Sequence, residues 1–196
     1  MQIGKRFRLS KQLGKGSYGV VYLGVDTVDG AKVAVKNCLD VFRTTEDAKR
    51  TLREITILRQ CRHPNVIHCR TVLRPNSAER FGDLWIVLEC CDWDLRKVMN
   101  TRMKAWSIEH VKRLLHQTLC GLAYLHGANI VHRDLKPANI LVTSSCDIRI
   151  CDFGLSREIR PLIPRVSSNM EIDGEDDSKQ VTFEQVQVGG PGSGGR

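Results

Sequence analysis

Aromatic residues are scarce, at 6% of the 196 residues, and the last tyrosine is Tyr124. Basic residues spread through 5–80 and 96–113 without regular aromatic partners, so the net charge of +8 does not describe a nucleic-acid stacking platform. A solvated basic surface that favours acidic partners is the better reading, and no nucleic acid is expected. No C-x-x-C pair occurs among the eight cysteines, which argues against a disulfide framework and against a zinc site. No run approaches about 18 consecutive apolar residues, and the N-terminus lacks an apolar signal core. A membrane span or membrane partner is therefore not expected, and cytoplasm or nucleus is the default location. A G-x-x-x-x-G-K-[ST] sequence is also missing, so a Walker-type nucleotide site has no support.

What is present begins with Gly14-Lys15-Gly16-Ser17-Tyr18-Gly19-Val20-Val21, glycines at a phosphate-loop spacing. Dinucleotide folds use a similar pattern, but there the loop opens a helix. Here Val20, Val21, Tyr22, Leu23 and Val25 continue as a β-branched, aromatic-containing strand. The glycines thus predict a strand–turn–strand lid whose backbone can approach phosphates closely. Val33-Ala34-Val35-Lys36 is an apolar strand ending in one lysine. Residues 44–59 predict a helix: Thr44 or Thr45 caps it, Glu46 and Asp47 suit its positive end, and Leu52, Ile55 and Leu58 recur at helical spacing. Spacing alone does not choose among Glu46, Asp47 and Glu54 as an anionic partner for Lys36. Residues 84–92 read as a buried strand running into a polar link, and 107–126 as an amphipathic helix with Val111, Leu114, Leu115, Thr118, Leu119, Leu122 and Leu125 at helical spacing.

The most specific stretch is His132-Arg133-Asp134-Leu135-Lys136-Pro137-Ala138-Asn139, followed by Asp152-Phe153-Gly154. Ten specified residues in this order arise by chance on the order of one time in 10^13 at uniform residue usage. The set supplies a carboxylate to orient a hydroxyl and accept its proton, with an amide and a second carboxylate as hard oxygen donors for a metal. Phosphoryl transfer needs that combination, because its transition state is stabilised by positioning and charge neutralisation.

On these motifs the chain resembles the eukaryotic protein kinase family. The resemblance implies an α+β, bilobal protein-kinase-like fold: a small antiparallel β-sheet lobe with one helix, and a helical large lobe that is incomplete here. It implies ATP and Mg2+ as cofactors and a protein serine or threonine as acceptor, since Lys136 two places after Asp134 is the Ser/Thr-type pattern. Leu13, Gly14, Lys15, Gly16, Ser17, Tyr18, Gly19, Val20 and Val21 would cover the nucleotide, with Val21 and Ala34 sandwiching the adenine. Lys36 would reach the α- and β-phosphates, paired with Glu54. Leu88 would back the adenine pocket, Glu89 and Cys91 would offer backbone groups to the adenine edge, and Asp94 would approach the ribose. Asp134 would orient the incoming hydroxyl, Lys136 would balance charge on the transferring group, and Asn139 and Asp152 would hold Mg2+. Cys151 would line the back of the nucleotide pocket, where packing is the favoured role for its thiol.

Within that family, residues 50–55, 107–126 and 129–157 resemble the mitogen-activated protein kinase branch. In that branch arginines matching Arg53, Arg133 and Arg157 bind a phosphothreonine, a role suited to guanidinium forks, and an upstream kinase installs it. The pattern breaks after Gly154. No tyrosine follows it, Thr182 is the sole threonine, and no A-P-E sequence occurs.

The expected organisation is a small lobe at 1–88, a hinge and partial large lobe at 89–157, and an unstructured tail at 158–196. An acidic cluster at 171–177 and linker-like glycines at 189–195 mark that tail. A large lobe of this size lacks core, so the chain reads as a fragment, a truncated product or an interrupted kinase, marginal in stability on its own. Besides a mitogen-activated-type kinase, two alternatives stay open. One is a small-molecule phosphotransferase, disfavoured by the complete motif pair; the other is an ATP-binding pseudokinase or truncated regulator.

Overall fold

The computed structural model describes residues 2–3, 5–16, 19–73, 82–102 and 106–159. Ser17, Tyr18, Thr182, the acidic cluster and the glycine-rich stretch lie outside the described residues. The first half of the chain alternates apolar and polar side chains and forms a six-stranded antiparallel sheet. Its strands are β1 (Gln2–Ile3), β2 (Phe7–Gly16), β3 (Gly19–Asp26), β4 (Lys32–Cys38), β5 (Cys69–Leu73) and β6 (Leu84–Glu89), in the order β1-β2-β3-β4-β6-β5. The ladder pairs Val21 with Lys36, Ala34 with Leu88, and Lys36 with Ile86, which sets these side chains on one face. On the other face Phe7, Leu9, Val33, Val35 and Val87 form a small separate core, with Tyr22 and Trp85 packed against it. At its edge Asp26, fully buried, accepts two 2.8 Å hydrogen bonds from Arg6 and a longer one from Arg70, tying the β3–β4 turn to β5.

Helix α1 (Thr45–Gln60) begins where the sequence places it. The Thr44 hydroxyl accepts from the Asp47 N–H, satisfying one of the orphan donors of the first turn. Its buried side chains are Glu54, Ile57 and Leu58. Leu52, expected in the apolar stripe, is instead 65% exposed. The reason is angular: two residues before Glu54, it lies about 200° around the helix and faces outward.

The second half contains β7 (Trp93–Asp94), α2 (Leu95–Arg102), α3 (Ile108–Gly127), β8 (Ile130–Val131), a 3-10 turn at Pro137–Asn139, β9 (Ile140–Val142), β10 (Ile148–Ile150) and β11 (Arg157–Glu158). Strands β10, β9 and β7 form one antiparallel sheet, and β8 pairs with β11. Gln117 fastens α3 to this framework: its Oε1 accepts from Ile148 N and Asn65 Nδ2, and its Nε2 donates to Cys146 O. A shared core, including Ile57, Leu58, Ile67, Ile86, Leu125, Ile148, Ile150 and Phe153, runs continuously through both halves. Helix α3 buries only Leu114, Gly121 and Leu125, whereas Ile108, Val111, Leu115 and Leu119 are exposed. All eight cysteines are free. Among the described residues no helix is long and apolar enough to cross a membrane.

Gly121 permits the closest approach of α3 to the core. A Cβ there would stand 2.8 Å from Ile150 Cδ1 and 3.0 Å from Asn65 O. Helix propensity favours alanine by about 1 kcal/mol, but overpacking against backbone costs about 1–3 kcal/mol. Gly121→Ala is therefore expected to lower the urea midpoint, whereas Gly127→Ala, with open space around it, should hold or raise it. A stabilised Gly121→Ala protein would show that α3 does not pack this closely in solution.

Candidate active site

The inward face of β4 presents Lys36, and α1 turns Glu54 toward it. Lys36 Nζ lies 2.6 Å from Glu54 Oε1 and 2.8 Å from Oε2, with both side chains largely buried. Burial by itself would lower the lysine pKa; the charge of Glu54 outweighs it and holds the ammonium above its ordinary value. Of the three carboxylates left open by spacing, Glu54 is the one in contact. Glu46 and Asp47 occupy the first turn, where Asp47 pairs with Arg43 and Glu46 with Lys49.

Around this pair lies a cavity of about 300 Å³. Gly16, Gly19, Val21 and Ala34 line it from the sheet, Leu88 and Glu89 from the end of β6, and Ile67, Leu141, Cys151, Asn139 and Asp152 from the core and second half. Apolar walls thus meet a polar end made of Lys36, Glu54, Asn139 and Asp152. Gly19 is required by geometry: its φ is +148°, and a Cβ would collide with Asn37 O.

Asp134 and its neighbours are held by a buried histidine. His132 donates from Nε2 to Cys151 O at 2.9 Å, and its Nδ1 accepts from Asp134 N at 3.3 Å. The ring packs against Phe153, with centroids 5.2 Å apart. Asp134 Oδ2 accepts from Lys136 Nζ at 2.7 Å and from Asn139 Nδ2 at 3.0 Å. The lysine bond, chiefly, holds the Asp134 carboxyl below the usual carboxylate range. Because the Asn139 amide nitrogen is committed to Asp134, its Oδ1 is the atom left for a cation in the cavity. Arg133 and Asp152 adopt φ of +67° and +68°, a left-handed backbone uncommon outside glycine. These two residues bracket the segment that carries Asp134, Asn139 and Cys151.

Other expected contacts fall elsewhere. Leu13, Gly14 and Lys15 are exposed on β2, away from the cavity lining. Val20 pairs with Asn37, and strand alternation turns it to the face opposite Val21. Asp94 is engaged as the cap of α2, accepting from Lys97 N at 2.8 Å and lying 3.1 Å from Lys97 Nζ, so it does not line the cavity. Cys91 does not line it either, and burial pushes its thiol up to about 12. The Cys151 thiol is raised further by burial, consistent with packing. The Glu89 side chain turns away to Arg149 and His68 N, leaving its backbone at the cavity. Two lining residues escaped the sequence reading. Leu141 was accessible in principle, since β9 alternates buried Ile140 and Val142 around it, whereas nothing local distinguishes Ile67.

Arg53 donates to Gly154 O at 2.8 Å and stands near Arg157, Arg133 and Arg50. Burial first, then repulsion from Arg157, lowers its pKa. Among the described residues no carboxylate forms an ion pair with Arg53, Arg133 or Arg157.

The family model for the protein kinase domain matches residues 7–170, extending past Arg157 into the segment expected to be a tail. Mitogen-activated protein kinase 16 of Arabidopsis thaliana is 46% identical over 154 residues, covering 79% of this chain and 27% of that protein. Mitogen-activated protein kinase 15 of Oryza sativa subsp. japonica is 45% identical over 154 residues, covering 79% of this chain and 31% of the relative. The chain thus spans roughly three-tenths of the length of the curated relatives it matches.

The Asp134–Lys136 contact has a measurable signature. With Lys136→Met the Asp134 carboxyl is expected to titrate closer to the ordinary value of about 3.9, as followed by carboxyl-carbon NMR. A depressed carboxylate pKa stabilises the fold above its unfolded value, and that contribution is lost as pH falls through the folded one. The acid-unfolding difference between the two proteins should accordingly vanish at low pH. An unchanged Asp134 titration would mean that the contact is not populated in solution.

Proposed function

The chain belongs to the protein kinase family, and from that premise we propose that it binds ATP with Mg2+ and transfers the γ-phosphoryl group to a protein serine or threonine. The observation that carries this reading is the convergence of the Lys36–Glu54 pair, Asn139 and Asp152 on one cavity, with Asp134 bonded to Asn139. Similarity to mitogen-activated protein kinases supports that branch and an upstream activating kinase.

In this reading the adenine lies between Val21, Ala34 and Leu141, with Leu88 behind it and the Glu89 backbone at its edge. Lys36, fixed by Glu54, holds the α- and β-phosphates. Asn139 and Asp152 would hold Mg2+, since both offer hard oxygen donors suited to a hard cation. The metal, when bound, neutralises charge on the phosphate oxygens. Asp134 orients the acceptor hydroxyl and takes its proton, while Lys136 turns to the transferring group. Arg53, Arg133 and Arg157 form a pocket for a phosphorylated side chain. Residues 1–88 act as the small lobe and 89–157 as the hinge and start of the large lobe.

A second reading is an ATP-binding regulator that competes for kinase partners without turnover. The exposed aliphatic face of α3, at Ile108, Leu115 and Leu119, favours it by offering a surface for association.

Nucleotide titration and phosphoryl transfer to a protein acceptor separate these roles. Lys36→Met and Asp152→Ala should weaken Mg2+–ATP binding, whereas Asp134→Ala should keep that affinity and lower transfer by about 10²–10⁴-fold. Mg2+-dependent binding with no transfer by the parent chain would leave the regulator. Equal loss of binding in all three variants, with intact melts, would overturn the assigned site.

A further inference from the structure

A groove of about 590 Å³ runs along α1, closed on its other side by the end of α3 and by β8. Its α1 wall is Lys49, Leu52, Arg53, Thr56, Ile57 and Gln60, a stripe recurring at three and four residues. Leu52 and Thr56, two residues to either side of Glu54, stand about 200° around the helix from it. The groove therefore lies on the α1 face turned away from the nucleotide cavity. No step of the proposed reaction uses it, and its volume is that of a small-molecule site.

Its walls are apolar because their hydroxyls are already engaged. Thr56 Oγ1 donates to Leu52 O at 2.9 Å, and Tyr124 Oη accepts from Arg62 N at 2.8 Å. Leu52, Ile57 and Ile130 supply aliphatic surface beside them. Leu52 is 65% exposed, so an occupant would withdraw a large side chain from water. Two cations border this surface. Lys49 Nζ lies 3.7 Å from Glu46 Oε1, a weak contact between exposed side chains. Arg53 donates to Gly154 O, and Arg157 and Arg133 add to the positive field around it. The one acid in the lining, Glu158, belongs to β11 and not to the α1 wall.

We propose that this groove binds an amphipathic monocarboxylate of the fatty-acid class. The acyl chain lies along Leu52, Ile57, Tyr124 and Ile130, and the carboxylate meets Lys49 and Arg53. A planar carboxylate matches the fork of a guanidinium, which an acyl chain with a neutral head group cannot do. Such a ligand joins α1 to α3 and β8. Its binding does not depend on phosphoryl transfer and holds for an enzyme or a regulator alike.

Decanoate, kept below its micellar concentration, is the probe. Amide NMR of the full chain, without nucleotide, should show saturable one-to-one shifts centred on 49–60 and 124–130. Affinity should rise on the order of tenfold from octanoate to decanoate, and decanol should bind roughly tenfold more weakly than decanoate. Lys49→Glu and Leu52→Asp should each weaken decanoate binding by roughly fivefold, whereas Lys112→Glu, at an equally exposed lysine of α3, should not. The chain-length and decanol comparisons use the parent chain alone, so they decide the matter even where a variant fails to fold. Shifts that never saturate, equal affinity for decanol, or equal affinity in all three variants overturn the proposal. Shifts centred instead on the exposed Ile108 and Leu115 of α3 overturn it as well. Shifts at 49–60 that appear on raising protein concentration without decanoate assign the groove to a second copy and also overturn it.

Discussion

A lysine and a glutamate buried against each other impose strict demands on everything around them. Each ion loses solvation worth several kcal/mol on burial, and only close, well-directed contact offsets that loss. Lys36 and Glu54 meet the condition through two short bonds. That contact requires β4 to keep its register with β3 and β6, because a slip of one residue would send Lys36 into the opposite core. It also requires α1 to hold its rotation, which Ile57 and Leu58 fix by packing into the shared core. The outward placement of Leu52 follows from the same rotation. Removing either ion leaves the other buried and unpaired, so stability and site geometry are linked at this pair.

The second half is built around another buried polar group. His132 links the Cys151 carbonyl to the Asp134 amide, and Ser156 Oγ donates to the His132 carbonyl. One ring thereby sets the spacing between the loop that carries Asp134 and the strand end that carries Asp152. With every polar atom of this small network paired, its burial beside Phe153 adds rigidity without an unsatisfied donor. The left-handed backbones of Arg133 and Asp152 are tolerable because this network over-determines them.

Part of the candidate site was legible in the sequence, and much of the shape was not. Lys36, Asp134, Asn139 and Asp152 were readable because few functions demand those groups at those offsets, and the first, third and fourth line one cavity. Motif membership alone does not say which side chains face the cavity. Val20 shares the glycine motif but alternates to the far face, and Asp94 is consumed in capping α2. The helical period located α3 correctly, yet periodicity reports that a stripe is apolar, not whether a neighbour covers it. Leu114 is buried and Leu115 exposed on the same helix for that reason. Glu54 needed the third dimension, since three carboxylates on α1 compete by sequence.

The state of Asp134 bears on how the proposed reaction divides its work. Its Oδ2 already accepts from Lys136 and Asn139, leaving Oδ1 for an incoming hydroxyl. The same bonds that place the carboxylate depress its pKa, which makes it a poor base toward an alcohol. In a loose phosphoryl-transfer transition state the nucleophile bears little charge, so early proton removal gains little. A weakly basic but rigidly placed carboxylate then suffices, because alignment supplies most of the acceleration. Movement of Lys136 from Asp134 to the transferring phosphoryl group would restore basicity just as the hydroxyl proton becomes acidic. Positioning and proton acceptance would thereby occur in sequence at one side chain, with Asn139 holding Asp134 throughout.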